Sequence, residues 1–174
     1  MDKKGTLLIA DDEPVLLEQL VEILSELGYP IVTAKDGNEM LEQVTQNPNI
    51  VAILSDIKMP GLTGIEALRA LREKQIDVPI VFLTGFAEKN LVVEALRLGA
   101  LDFLDKPFEF QILKKVMSQA IEIGTDLKSV DIQIAAMAKK MQISEADMSK
   151  FNLIQKSLFV MKIKNNAYMK RKVS

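Results

Sequence analysis

Residues 51–56 read VAILSD, an apolar run of strand length over Val51 to Ser55 that is followed directly by the carboxylate of Asp56. Four similar runs lie elsewhere in the first 125 residues: Thr6 to Ala10, Pro30 to Ala34, Pro79 to Leu83 and Leu101 to Leu104. Most are nearly continuous in apolar residues instead of alternating with polar ones, which is typical of strands whose two faces are both buried. The sequence therefore predicts five short, interior strands.

The segments between these runs carry apolar residues at helical spacing, as in Leu16, Leu20 and Ile23. Residues typical of helix ends agree with this prediction, since Pro14 stands at a first helical position and Gly28 just beyond a helix end. Strand and helix thus alternate five times, which predicts an α/β fold with a doubly wound, five-stranded parallel sheet. A last helix is expected from Glu109 to about Ile123, followed by a domain boundary at residues 124–126.

The composition excludes several kinds of chemistry. The 174 residues include no cysteine, so disulfides and thiolate zinc sites cannot form. They also include no histidine, which removes Ser-His-Asp hydrolysis, His-bound zinc and phosphohistidine formation within the chain. The first apolar run is five residues long, and no run approaches the roughly 18 residues of a membrane helix. We therefore expect a cytoplasmic protein without membrane contact.

Charge is distributed unevenly along the chain. Residues 1–125 contain 12 basic and 20 acidic side chains, a balance of −8, whereas residues 126–174 contain 10 basic and 4 acidic side chains, a balance of +6. Such a contrast indicates two parts with different partners. We predict one domain over residues 1–125 and a basic helical output or dimerisation segment over residues 126–174.

Polar residues follow four of the predicted strands. Asp11 and Asp12 follow the first, Asp56 the third, Thr84 the fourth and Lys106 the fifth. In an open parallel sheet these positions share one edge, where such folds place their ligands. If the first and third strands are neighbours about 4.8 Å apart, the three aspartates form an acidic cluster. Oxygen ligands that leave room for water and phosphate suit Mg²⁺ best.

These residue types together fit phosphoryl transfer. A carboxylate such as Asp56 can attack phosphorus and form an aspartyl phosphate, while the ammonium of Lys106 and the hydroxyl of Thr84 stabilise charge on the phosphoryl oxygens. Each residue has a plainer interpretation by itself, because Asp-Asp pairs occur in solvated turns and threonines cap helices. Their shared position at one sheet edge is what favours function.

A family resemblance rests on these residues with their spacing. Asp11-Asp12, Asp56 with the IKMPG that follows it, Gly64, Thr84-Gly85 and residues 105–108 (DKPF) closely resemble the receiver (CheY-like) domain of two-component response regulators, over residues 5 to 123. The resemblance implies a flavodoxin-like strand order of 2-1-3-4-5. It also implies that a partner histidine kinase or histidine phosphotransfer protein supplies the phosphoryl group, with Mg²⁺ as cofactor.

The resemblance implies a role for each matching residue. Asp11 and Asp12 take the place of the magnesium-binding acids, with Asp56 as the phosphoacceptor and a third metal ligand. Lys106 is the expected phosphate-binding lysine. Thr84 and Phe103 are the expected switch pair, and Lys58 and Phe86 are expected to influence the lifetime of the phosphate. Such a chain is a signalling protein with self-catalysed phosphorylation and dephosphorylation at most, not an enzyme acting on other substrates.

The output of residues 126–174 has two interpretations. Helices that dock on a downstream protein or a second copy are favoured by a set of apolar residues at helical spacing: Ile132, Ile134, Met137, Met141, Leu153, Ile154, Leu158 and Met161. The alternative is a minimal DNA-binding helix-turn-helix near residues 132–165, which the positive charge would suit. Against it, Gln142 replaces the usual turn glycine, and Glu145 and Asp147 place acids at the start of the recognition helix.

Two other α/β classes use an acidic sheet edge. A metal-dependent phosphatase would normally carry an aspartate two residues after its nucleophile, where this chain has Lys58. A nucleotide-binding domain would need a glycine-rich first turn, but residues 11–14 read DDEP. Both remain weaker than the phosphoacceptor interpretation.

Overall fold

The structure, a computed structural model, describes residues 5–85 and 89–141, with side chains at all of these positions except 89, 90 and 133–141. The chain divides into two units, Met1–Gly124 and Thr125–Ser174. Within the described residues, strands and helices alternate in the order β1 (Thr6–Ala10), α1 (Pro14–Ser25), β2 (Ile31–Ala34), α2 (Gly37–Gln46), β3 (Ile50–Asp56), α3 (Gly64–Glu73), β4 (Ile80–Thr84), α4 (Lys89–Arg97), β5 (Asp102–Asp105) and α5 (Phe110–Met141).

The strands form one parallel sheet in the order β2-β1-β3-β4-β5. The predicted fold class and strand order are therefore confirmed. The pairing register aligns the ends of the strands, with Ala10 opposite Ser55, Asp56 opposite Leu83 and Thr84 opposite Asp105. Asp56 and Thr84 are thus the last residues of their strands, because sheet pairing extends one residue further than the apolar runs indicate.

Each face of the sheet supports its own apolar layer. On one face Leu8, Ile53 and Phe82 pack with residues of α2, α3 and α4 such as Met40 and Leu68. On the other face alternate strand residues pack with α1 and α5, where the fully buried contributors include Leu20, Leu24, Leu113 and Met117. Burial on both faces explains why the central strands are apolar at consecutive positions instead of every second one.

The loop that follows β3 is closed by a capping box. The hydroxyl of Thr63 accepts a hydrogen bond from the backbone of Glu66, and the Glu66 carboxylate accepts one from the Thr63 backbone. Two backbone donors at the start of α3 are satisfied in this way. The amide of Gly64 also donates to the carbonyl of Ile57 at 3.0 Å. These contacts fix the loop that leaves the functional edge of the sheet.

Helix α5 does not end where the sequence predicts. The sequence predicts an end near Ile123, with residues 124–126 as a break, but the helix continues through Gly124 to Met141. A Cβ on Gly124 would overlap the carbonyl oxygen of Val51 and lie 2.7 Å from its carbonyl carbon. Glycine is therefore required here by the close approach of the helix to the start of β3, not by a helix end. Within the described residues, no helix combines the length and apolar character needed to cross a membrane.

Gly124→Ala tests this close approach. In an exposed helix interior the change would stabilise by up to about 1 kcal/mol. Here we expect the free energy of unfolding to fall by about 1–3 kcal/mol, because the added methyl group displaces the backbone at Val51. Urea unfolding measures the difference, with Glu122→Ala at an exposed position of the same helix as the control. A stabilising effect of Gly124→Ala would contradict the close contact.

Candidate functional site

Four strand ends converge on one edge of the sheet. Asp11 and Asp12 directly follow β1, Asp56 ends β3, Thr84 ends β4 and Lys106 directly follows β5. Residues as far apart in sequence as Asp11 and Lys106 come into contact there. The structure thus brings Asp11, Asp12, Asp56 and Lys106 together and places Thr84 at the end of the neighbouring strand.

The three aspartates form a compact acidic cluster. Each offers one carboxylate oxygen, and these oxygens all lie within 4.8 Å of one another. Asp11 is buried, Asp56 is half-buried and Asp12 is exposed. Asp11 is held in place by the backbone amide of Glu13, which donates to its Oδ1 at 2.9 Å. A set of carboxylate oxygens that is open on one side matches the preferences of a hard divalent cation.

Lys106 carries the positive charge of the site. Its Nζ donates to Oδ2 of Asp56 at 3.0 Å and to Oδ2 of Asp11 at 3.1 Å. Sequence reasoning assigned this lysine only to an incoming phosphate and did not anticipate the double ion pair. The signal was available, because closely spaced carboxylates require a cation.

The protonation equilibria reflect burial and charge together. Burial raises the pKa of Asp56 and the charge of Asp11 adds to the rise, while Lys106 and the backbone of Ile57 oppose it without cancelling it. For Lys106, burial acts to lower the pKa, but the hydrogen bonds and charges of Asp56 and Asp11 outweigh burial and raise it. The carboxylate of Asp56 is therefore ionised at a net cost, and the ammonium of Lys106 is firmly retained.

Three of the other predicted residues, Thr84, Phe103 and Lys58, are among those that the structure describes. Thr84 is buried, and its hydroxyl donates to the carbonyl of Gly85 at 3.1 Å. Phe103 lies on β5 with 37% of its surface exposed, and Lys58 is exposed two residues beyond Asp56. Phe86 lies outside the described residues.

Comparison with known proteins identifies the family. The profile of the response regulator receiver domain matches residues 7–118. This chain belongs to the response regulator receiver family, a class of phosphoacceptor signalling domains. The similarity to such domains indicated by the sequence is thereby confirmed.

Individual relatives agree with this assignment. The chain is 35% identical over 121 residues to the transcriptional regulatory protein FixJ of Bradyrhizobium diazoefficiens, covering 70% of this chain and 58% of FixJ. It is 34% identical over 137 residues to the transcriptional regulatory protein PdtaR of Mycobacterium tuberculosis, covering 78% of this chain and 65% of PdtaR. A receiver domain protein from Clostridium thermocellum superposes with a TM-score of 0.66 at 29% identity, covering 71% of this chain and 98% of that one. The chain thus spans roughly three-fifths of the length of these two curated relatives.

Asp56→Asn tests the electrostatics of the cluster. The pKa of Asp56 is higher in the folded protein than in the unfolded chain. The ionised carboxylate therefore opposes folding above the folded-state pKa, and this destabilisation disappears as the pH falls towards the pKa of the unfolded chain. In buffer without divalent cations we expect the substitution to stabilise the protein at pH 7 by on the order of 1 kcal/mol. Denaturant unfolding at pH 7 and pH 4 measures the effect, which shrinks at the lower pH.

The matched control is Asp105→Asn, which removes a carboxylate from an exposed residue at the same edge. We expect a change within about 0.5 kcal/mol for that variant. Destabilisation by Asp56→Asn at pH 7 would instead mean that the ion pair with Lys106 outweighs the burial of the carboxylate.

Proposed function

We propose that Asp56 accepts a phosphoryl group from the phosphohistidine of a partner histidine kinase or histidine phosphotransfer protein. The observation that carries the proposal is the position of the Asp56 carboxylate, 3.0 Å from the ammonium of Lys106 at the edge where the strands end. A nucleophile, a cation and an open side of the cluster occur together there.

The chemistry follows from these neighbours. A carboxylate oxygen of Asp56 forms a bond to phosphorus, the bond from phosphorus to the donor's imidazole nitrogen breaks, and that nitrogen keeps the electron pair. In the unphosphorylated protein the Lys106 ammonium donates hydrogen bonds to Asp11 and Asp56. When the Asp56 carboxylate loses its charge on forming the bond to phosphorus, the ammonium is close enough to donate to phosphoryl oxygens instead. The lysine therefore compensates charge both before and after transfer.

The acidic cluster fits Mg²⁺ by its donor set. Asp11, Asp12 and Asp56 offer only oxygen atoms, these lie close together, and the exposed position of Asp12 leaves room for water and a phosphoryl group. These three residues would hold the ion, which supplies positive charge next to the transferred phosphoryl oxygens.

The donor histidine lies outside residues 1–174, since these contain no histidine. Two apolar side chains are exposed at the start of the helix that follows Asp12 and at the start of the helix that follows Lys106. Val15 at the beginning of α1 is 63% exposed, and Phe110 at the beginning of α5 is 55% exposed. Apolar contacts beside a charged centre favour a protein donor over a small molecule alone.

Thr84 and Phe103 are proposed as the switch. Thr84 ends the strand next to Asp56, so its hydroxyl can turn towards a phosphoryl group on that residue, and the part-exposed ring of Phe103 can then move inward. We propose Lys58 and Phe86 as residues that modulate the lifetime of the phosphate. The exposed position of Lys58, two residues after the acceptor, supports its part of this proposal.

The output is proposed to pass through residues 126–174 by contact with a downstream protein or a second copy. Ile132 on α5 is 70% exposed, which supports a contact role for this segment. Positions 142–165 of the proposed helix-turn-helix lie outside the described residues. The same holds for four of the apolar residues predicted to form the docking surface: Leu153, Ile154, Leu158 and Met161. The positive balance of the segment is what keeps DNA binding as the alternative.

Acetyl phosphate with Mg²⁺ tests the acceptor assignment. We expect a mass gain of about 80 Da in the wild-type chain and none in Asp56→Asn. Lys106→Met should slow the gain by on the order of 100-fold, because one charge-stabilising donor is lost. The control is Lys114→Met, which removes a lysine that is paired with Glu26 away from the site. A gain that persists in Asp56→Asn would refute the assignment.

The mass of the full chain in solution, before and after phosphorylation, tests the output. Contact between copies predicts a dimer whose population phosphorylation changes, and Ile132→Glu should weaken it at least tenfold by placing a charge in the contact. Ile112→Glu, at another exposed position of α5, is the control. A salt-dependent shift of DNA on a gel, with no change in mass, would favour the helix-turn-helix alternative.

A further inference from the structure

Ser55, the residue immediately before the acceptor, has a completely buried side chain. It lies opposite Phe82 in the register of β3 and β4, within an otherwise apolar stretch of the strand. Burying a hydroxyl is unfavourable unless it is hydrogen-bonded. Its Oγ donates to the backbone carbonyl oxygen of Asp56 at 2.8 Å. Among residues 50–55 of β3, the one polar side chain thus contacts the backbone of the acceptor.

The peptide group between Asp56 and Ile57 is held from both sides. Its carbonyl accepts from the Ser55 hydroxyl, and its N–H donates to the carbonyl of Leu83 on β4 at 3.2 Å. The next carbonyl, that of Ile57, accepts from the amide of Gly64 at 3.0 Å. Because a peptide group is planar, fixing both of its polar ends fixes its orientation, and with it the backbone from which the Asp56 side chain projects.

Gly64 makes room for this arrangement. A Cβ at that position would overlap the carbonyl oxygen of Asp56 and lie 2.9 Å from the Oγ of Ser55. The start of α3 therefore closes over the hydroxyl and the carbonyl together. An alanine at position 55 would fill most of the same space, so packing alone does not explain the hydroxyl.

We infer that Ser55 is a positioning residue for phosphoryl transfer, which holds the Asp56–Ile57 peptide so that the acceptor carboxylate stays aligned with Lys106. It acts through the backbone and does not touch the reacting atoms. The inference rests on the proposed role of Asp56 as acceptor. Alignment of this kind matters because small displacements of reacting groups cost large factors in rate.

The test compares Ser55→Ala and Ser55→Cys with the wild-type full chain. Alanine removes the donor, and cysteine keeps the approximate size with a much weaker one. With acetyl phosphate at fixed concentration and saturating Mg²⁺, we expect both variants to be phosphorylated roughly tenfold more slowly. Hydrogen exchange of the Ile57 amide, followed by NMR, should be at least tenfold faster in both variants than in the wild type, while amides in the middle of β1 keep their exchange rates.

Ile53→Val is the control for general loosening, since it trims a fully buried side chain of the same strand without touching the Asp56 carbonyl. Its phosphorylation rate should stay within about twofold of wild type. Ser55 variants that match the wild-type rate, or that slow no more than Ile53→Val, would overturn the inference. Incorporation that is unaffected by Asp56→Asn would overturn the proposed acceptor instead, so the two failures are distinguishable.

Discussion

The ammonium of Lys106 is hydrogen-bonded to both Asp11 and Asp56, and its charge allows the two carboxylates to lie close together at the functional edge of the sheet. Parallel strands end at the same edge, so the fold itself brings carboxylates together that would otherwise repel one another. Burial adds to the cost, as the raised pKa of Asp56 shows. A single fixed cation reduces this cost in the resting protein, and it stands where charge must be neutralised when a phosphoryl group arrives.

This charged centre needs a rigid support, which the packing around it provides. Apolar layers on both faces fix the central strands, and two glycines let neighbouring backbones approach closely. Gly64 brings the start of α3 against the carbonyl of Asp56, and Gly124 brings α5 against Val51. The Gly124 contact joins elements that are distant in sequence, whereas the Gly64 contact joins two consecutive elements. The acceptor thus lies at the end of a strand whose backbone is contacted by the neighbouring strand β4, by the start of α3 and by the adjacent residue Ser55.

Family membership accounts for the first part of the chain and leaves the second open. The receiver profile matches residues 7–118, and the acidic balance of residues 1–125 belongs to that domain. The basic residues 126–174 have the opposite balance. Opposite charge in two parts of one chain indicates that the two parts contact different partners.

The sequence by itself determined the strand and helix alternation, the five-stranded parallel sheet and the residues at its functional edge, because these depend on local periodicity and on a topology with few alternatives. It did not determine that α5 continues through Gly124, that Lys106 is shared by two aspartates, or that the Ser55 hydroxyl bonds the Asp56 carbonyl. Each of these features depends on how closely two groups approach each other. Gly124 and Val51, and likewise Lys106 and its two aspartates, lie far apart in the chain, whereas Ser55 and Asp56 are neighbours. Only the tertiary structure decides such distances, because glycine, lysine and serine are each compatible with many surroundings until packing selects one.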